Sequence, residues 1–220
     1  MKFLISIFMI SSFYSSVFAK NSDLKTCYEK AHSMSDGTDR DMALFRCVAQ
    51  YRETISPHNC KIIAVSMSYD IHKNSVLRFC SNGITAKLSP LGCQEMASSM
   101  SYATDRDLAL FQCIARYKET ISPDNCKSIA VSMSYDTHKN TGLKFCSHNI
   151  TAKASPSVCQ EMAKSMSYAT DRDQAHFQCI VSNKDNISLS DCLTMTTLMS
   201  FDTHKDIARK FCASNTKPAK

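Results

Sequence analysis

The twelve cysteines of this chain fall on a strict ruler. Cys27, Cys47, Cys60, Cys80, Cys93, Cys113, Cys126, Cys146, Cys159, Cys179, Cys192 and Cys212 are separated alternately by 20 and 13 residues. The chain is therefore six copies of a 33-residue unit. Self-similarity at a fixed period of roughly 20–50 residues marks stacked repeat architectures, so one unit carries most of the architectural argument. Two half-types alternate. Odd units carry T-D-R-D at their centre, as in CQEMASSMSYATDRDLALFQC from Cys93, and even units carry D-x-H-K-[ND], as in CKSIAVSMSYDTHKNTGLKFC from Cys126. This pattern implies one duplication followed by triplication of the pair.

Each unit reads as an αα-hairpin. Before the first cysteine stand Ser56-Pro57, Ser89-Pro90, Ser122-Pro123 and Ser155-Pro156, with Asp23-Leu24 and Ser188-Leu189 at the same offset in the outer units. Serine at N-cap followed by proline at N1 is a helix start, since proline's missing donor is not needed there and its φ is already helical. Apolar residues then recur at i, i+3, i+4 and i+7, as in Cys93, Met96, Ala97 and Met100 or Cys126, Ile129, Ala130 and Met133. They form one apolar stripe. A second cap follows, Thr104 with Asp107 three residues on or Asp136 in the even type, before the stripe resumes at Leu110, Cys113, Ile114 and Tyr117. In even units Asn82-Gly83 and His148-Asn149 predict a shorter second helix with a left-handed C-terminal cap.

The expected fold is all-α: six disulfide-stapled hairpins stacked as a short α-solenoid. They span 23–52, 56–85, 89–118, 122–151, 155–184 and 188–213, within a repeat domain of residues 20–215 and ahead of a polar tail, 216–220. Three compact four-helix modules are the alternative arrangement. In an antiparallel hairpin, two residues equidistant from the turn face each other. This level-matching pairs Cys27–Cys47, Cys60–Cys80, Cys93–Cys113, Cys126–Cys146, Cys159–Cys179 and Cys192–Cys212; the shifted scheme starting with Cys47–Cys60 would strand Cys27 and Cys212.

Residues 1–19, MKFLISIFMISSFYSSVFA, read as a secretory signal peptide: one lysine, a short apolar stretch and Val17-Phe18-Ala19 as a small-x-small cleavage site. Losing Lys2 with that segment takes the formal charge from +6 to +5. No later segment approaches the ~20 apolar residues of a membrane helix. An even cysteine count behind such a signal predicts a complete disulfide framework in a secreted or periplasmic setting. Asn149-Ile150-Thr151 and Asn186-Ile187-Ser188 match glycosylation acceptors, which carry meaning only in a eukaryotic secretory pathway.

The whole repeat region resembles secreted, disulfide-stapled αα-repeat proteins, similar in outline to cysteine-rich Sel1-like and tetratricopeptide-type solenoids. The resemblance implies the architecture and a tendency to bind partners, and it transfers no functional residue.

Nearly every polar residue belongs to a ladder repeated three or six times, whereas catalysis needs a unique constellation. There is no G-x-S-x-G, H-E-x-x-H or glycine-rich phosphate loop. The chain is therefore expected not to be an enzyme. The alternative, an extracellular enzyme acting on cell-wall or matrix material, would have to use the period-breaking His32, His58, His148 and His176. Methionine with histidine in the even units, Met67 with His72, Met133 with His138 and Met199 with His204, is a soft set. Each methionine also continues the apolar stripe, so no metal or other cofactor is expected.

The most suggestive ladder is basic: Arg40, Lys73, Arg106, Lys139, Arg172 and Lys205 stand thirteen residues after each first cysteine. They lie near helix starts, where the macrodipole disfavours cations. Tyr69, Tyr102, Tyr135, Tyr168 and Phe201 precede them by four residues in units two to six. Together they suggest a binding edge for a protein or an acidic glycan, against the plainer reading of a solvated ion-pair ladder with rings sealing the hairpins. Few aromatics and a small net charge argue against nucleic acid.

Overall fold

The computed structural model describes residues 22–84, 88–150 and 154–215. Among them are twelve helices and no strand. They are α1 (Ser22–His32), α2 (Gly37–Gln50), α3 (Pro57–Val65), α4 (Asp70–Asn82), α5 (Pro90–Ser98), α6 (Ala103–Arg116), α7 (Pro123–Val131), α8 (Asp136–His148), α9 (Pro156–Lys164), α10 (Ala169–Ser182), α11 (Leu189–Thr197) and α12 (Asp202–Asn215). The expected signal segment, the tail 216–220, and Thr85 and Thr151 at two expected hairpin ends lie outside the described residues. No described helix is long and apolar enough to cross a membrane.

In the first unit α1 begins at Ser22, so Asp23 lies within the helix and not ahead of it; in units two to six the first helix starts by the chemistry its sequence carries. The hydroxyls of Ser56, Ser89, Ser122, Ser155 and Ser188 accept the amide three residues on, from Asn59 (3.1 Å), Gly92 (3.0 Å), Asn125 (3.2 Å), Val158 (3.4 Å) and Asp191 (3.1 Å). Proline occupies the first helical turn in four of these helices. Ser122→Ala is therefore expected to cost about 1 kcal/mol, while Ser190→Ala on the exposed side of α11 should change stability by less than about 0.5 kcal/mol. Urea unfolding midpoints check the difference.

The chain divides into two compact units, Met1–Ala109 and Leu110–Lys220, the boundary falling within α6. In the first, α1 packs on α2 and α3 on α4, while α2 also contacts α3 and α4, and α4 contacts α5. Leu24, Leu44, Ile63 and Leu77 form its centre, all fully buried. In the second, α7 pairs with α8, α9 with α10 and α11 with α12, and α8 and α10 each reach into the following hairpin. Ile114, Ile129, Leu143 and Met162 are fully buried there. Edge-to-face ring pairs repeat between second helices, with Phe45–Phe79 at 5.8 Å in the first unit and Phe111–Phe145 at 5.4 Å and Phe177–Phe211 at 5.7 Å in the second.

Cys27–Cys47, Cys60–Cys80, Cys126–Cys146, Cys159–Cys179 and Cys192–Cys212 each join the two helices of one hairpin across Cα separations of 5.6–5.8 Å. Cys93 and Cys113 are disulfide-bonded too, and no described cysteine is free. Helices of nine to fourteen residues are marginal alone, and a bridge closing a loop of this size contributes about 3 kcal/mol.

Two local expectations are overturned. No described residue has positive φ: Gly83 and Asn149 end α4 and α8 in right-handed conformation, and those helices are one residue shorter than α2, α6 and α10. Nor do the expected second caps hold: α6 begins one residue before Thr104, at Ala103, with Asp107 buried, and Asp136 is the first helical residue of α8, behind N-cap Tyr135.

Candidate interaction edge

Three of the second helices, α4, α8 and α10, start in an unusual way. Tyr69, Tyr135 and Tyr168 occupy the N-cap position, and none caps with its side chain. The preceding repeat binds the backbone just ahead of the helix, at the N-cap residue and the residue before it. Buried Asp41 accepts the amides of Ser68 (2.9 Å) and Tyr69 (3.0 Å), and buried Asp173 those of Ser200 (2.7 Å) and Phe201 (2.9 Å). Asn74 accepts the amide of Ser101 at 2.9 Å, and Asn140 that of Ser167 at 3.0 Å. In the first hairpin Asp36 caps its own helix, accepting from Thr38 and Asp39.

These joints explain why two half-types alternate. Asp41 and Asp173 also hold Nδ1 of His72 and His204, both at 3.0 Å, so a carboxylate meets a ring N–H. Asn74 and Asn140 instead donate their amide N–H to the carboxylates of Asp105 (3.1 Å) and Asp171 (3.0 Å). Arg78 and Lys144 bind the other oxygen of the same carboxylates. Acid takes histidine, and amide takes acid. Burial acts to raise the pKa of Asp41 and Asp173, but the two backbone amides and the histidine outweigh it and hold both below the usual carboxylate range.

The basic ladder is drawn into the same joints. Arg40 donates to Ser68 Oγ and Arg172 to Ser200 Oγ (3.0 Å), each in the next repeat. Lys73, Lys139 and Lys205 pair with Asp70 (2.8 Å), Asp136 (2.7 Å) and Asp202 (3.0 Å) one turn earlier, and their side chains are only 21–23% exposed. Lys73 and then Ser101 lower the pKa of Asp70, and Lys139 and then Ser167 that of Asp136. Arg106 lies near the Met100 carbonyl at 3.5 Å.

The rings are the more open part. Tyr69, Tyr102, Tyr135 and Tyr168 are 47–50% exposed, and Phe201 is exposed to a similar degree. Tyr69 and Tyr135 meet His72 and His138 edge to face at 5.5 and 5.4 Å, and Phe201 meets His204 at 5.3 Å. With the backbone ahead of these helices held from the neighbouring repeat, the rings stand half-exposed.

The period-breaking histidines fall at unlike places within each unit. In the first unit His32 ends α1 beside Tyr28 (5.4 Å), while His58 lies in the first turn of α3. In the second, His148 is at the exposed end of α8, bonded to Ser147 and the Lys144 carbonyl. His176 lies within the core at 0% exposure, neither ring nitrogen has a hydrogen-bond partner, and burial pushes its pKa down to about 4. It stands where Leu44 and Leu110 fill the other odd units. Met67, Met133 and Met199 are buried, continuing the apolar stripe, and the described residues hold no group of three or more His, Cys, Asp or Glu placed for a metal.

Reading caps within one helix missed Asp41, Asn74, Asn140 and Asp173. The signal was present as the alternation of Asp with Asn fourteen residues after the first cysteine through units one to five, broken by Asp206 in the sixth, and of Asp with His two residues before that position in all six. What the edge can do chemically is hold a flat or apolar surface against fixed rings, with ion pairs and hydroxyls alongside. No family model matches this chain, and no curated protein or solved structure is detectably similar to it.

Proposed function

We propose that this chain is a binding and scaffold module of an oxidising compartment, secreted or periplasmic, that engages a protein or acidic glycan along the starts of its second helices. The observation that supports this most is the half-exposed aromatic ring set at the same structural position in successive repeats, Tyr69 and Tyr102 in one unit and Tyr135, Tyr168 and Phe201 in the other. Tyrosine, with an apolar ring and a polar tip, is enriched at contact surfaces. Rings on rigid helix starts also lose little conformational freedom on binding.

The cations act as a rim. Lys73, Lys139 and Lys205 already have carboxylate partners, so binding depends on salt only moderately. Regular weak contacts on one support gain from effective concentration when the ligand is polymeric. The disulfide framework fits this role, since it holds short hairpins in shape outside the reducing cytosol.

The test titrates the oxidised protein against immobilised acidic polysaccharides and against extracellular proteins captured from its native surroundings. Tyr135→Ala with Tyr168→Ala should weaken binding about tenfold or more, while Leu193→Ala, an exposed side chain on α11, should leave it unchanged. Equal binding by both variants, with helicity intact, would overturn the reading.

A further inference from the structure

In the second unit, a pocket of about 310 Å³ opens between α10 and α12, lined by Thr170, Asp173, Gln174, Phe177, His204 and Ile207. Its chemistry is uneven in a useful way. Phe177 and Ile207 make apolar walls, while one polar group is held rigidly. His204 is fixed from two sides: its Nδ1 lies 3.0 Å from the fully buried carboxylate of Asp173, and its ring meets Phe201 at 5.3 Å edge to face. A carboxylate at Nδ1 fixes a ring proton there, and in that tautomer Nε2 is the hydrogen-bond acceptor.

The pocket also departs from the repeat. Gln174 replaces Met42 and Leu108 of the other odd units, and Ile207 replaces Ser75 and Thr141 of the other even units. An amide thus appears on the α10 side and an apolar side chain on the α12 side, while Thr170, Asp173, Phe177 and His204 follow the repeat. The same joint that holds two hairpins together here borders a recess with an apolar body and a fixed acceptor.

We propose that this recess is a binding site for a small phenolic group, with the ring against Phe177 and Ile207 and the hydroxyl donating to Nε2 of His204. Gln174 and Thr170 supply adaptable hydrogen bonds at the rim. A neutral donor suits the site better than a carboxylate, because the Asp173 carboxylate behind His204 repels an anion. The proposal stands apart from the aromatic edge and does not need a polymeric partner.

p-Cresol titrated into the oxidised full chain, followed by NMR of the Ile207 methyl and His204 ring, is the direct probe. It should bind saturably with a dissociation constant of about a millimolar, the range expected for so small a ligand. Toluene, which lacks the hydroxyl, should bind about tenfold more weakly, and benzoate more weakly than p-cresol. Ile207→Ser and Gln174→Met restore the composition of the other repeats at exposed positions; Ile207→Ser should weaken p-cresol binding about fivefold or more without loss of helicity. The site is refuted by absence of saturable shifts up to the solubility of p-cresol, by toluene or benzoate binding equally well, or by unchanged affinity in Ile207→Ser.

Discussion

Asn140→Asp is expected to destabilise the protein by roughly 2–4 kcal/mol at neutral pH, because it sets a second carboxylate in a part-buried joint against Asp171. Asn140 now donates to Asp171 Oδ2 at 3.0 Å and accepts the Ser167 amide at 3.0 Å. An aspartate could keep the second bond only while clashing in charge at the first. The decisive variant is the double one. Asn140→Asp with Asp171→His recreates the pairing of Asp41 with His72 and of Asp173 with His204, and should recover at least about 1 kcal/mol relative to Asn140→Asp alone. Urea unfolding of the four proteins gives the coupling. If the double variant is no more stable than Asn140→Asp, polar complementarity does not govern which half-type follows which.

His176→Leu is expected to stabilise the protein by about 1–3 kcal/mol at neutral pH, since an unpartnered buried imidazole gives way to the side chain that Leu44 and Leu110 place in the equivalent core position. It should also change the response to acid. Burial holds His176 at about 4 in the folded state against an ordinary 6.5. Above the ordinary value neither state binds the proton, and stability is complete. As pH falls, the unfolded chain takes up a proton that the folded chain refuses, so about 3 kcal/mol is lost on the way down to the folded value. Asp41 and Asp173, both held below the usual range, withdraw their contribution only at lower pH, as they become protonated. Leucine should therefore flatten the first part of the acid profile and leave the second. An equally steep loss between neutral pH and pH of about 4 in His176→Leu would assign the acid response elsewhere.

Much of the architecture was legible because its causes are local or periodic. Ser-Pro starts act within one turn, and the bridged cysteines stand at equal distances from each hairpin turn. The apolar stripe through Cys126, Ile129, Ala130 and Met133 follows from helical spacing, and all four are buried. What escaped acts across repeats. Asp173 looks like a cap residue beside its own helix start, yet it serves amides 27 and 28 residues further on. The cations looked available because the helix dipole gives them no reason to be there. Lys73 and Lys139 have partners three residues back, and Arg172 has one 28 residues ahead. His176 was visible as a break in the ladder, but the sequence alone did not reveal that it sits in the core.

Holding the backbone ahead of one helix from a residue in the preceding repeat bears on how such a chain can change over time. In a self-capped helix the N-cap position is confined to a few short polar residues, and a mutation there is filtered by folding before it can be tried for recognition. In this protein the joints place their demand on Asp41, Asn74, Asn140 and Asp173, which bind the backbone of residues 68, 69, 101, 167, 200 and 201, while the side chains at 69, 135 and 168 make no cap. Those surface sites can sample new side chains with little loss of foldability, and a tandem array multiplies the sites at which this happens. The device separates the residues that selection must hold from those it can vary, on the face where a partner would be met.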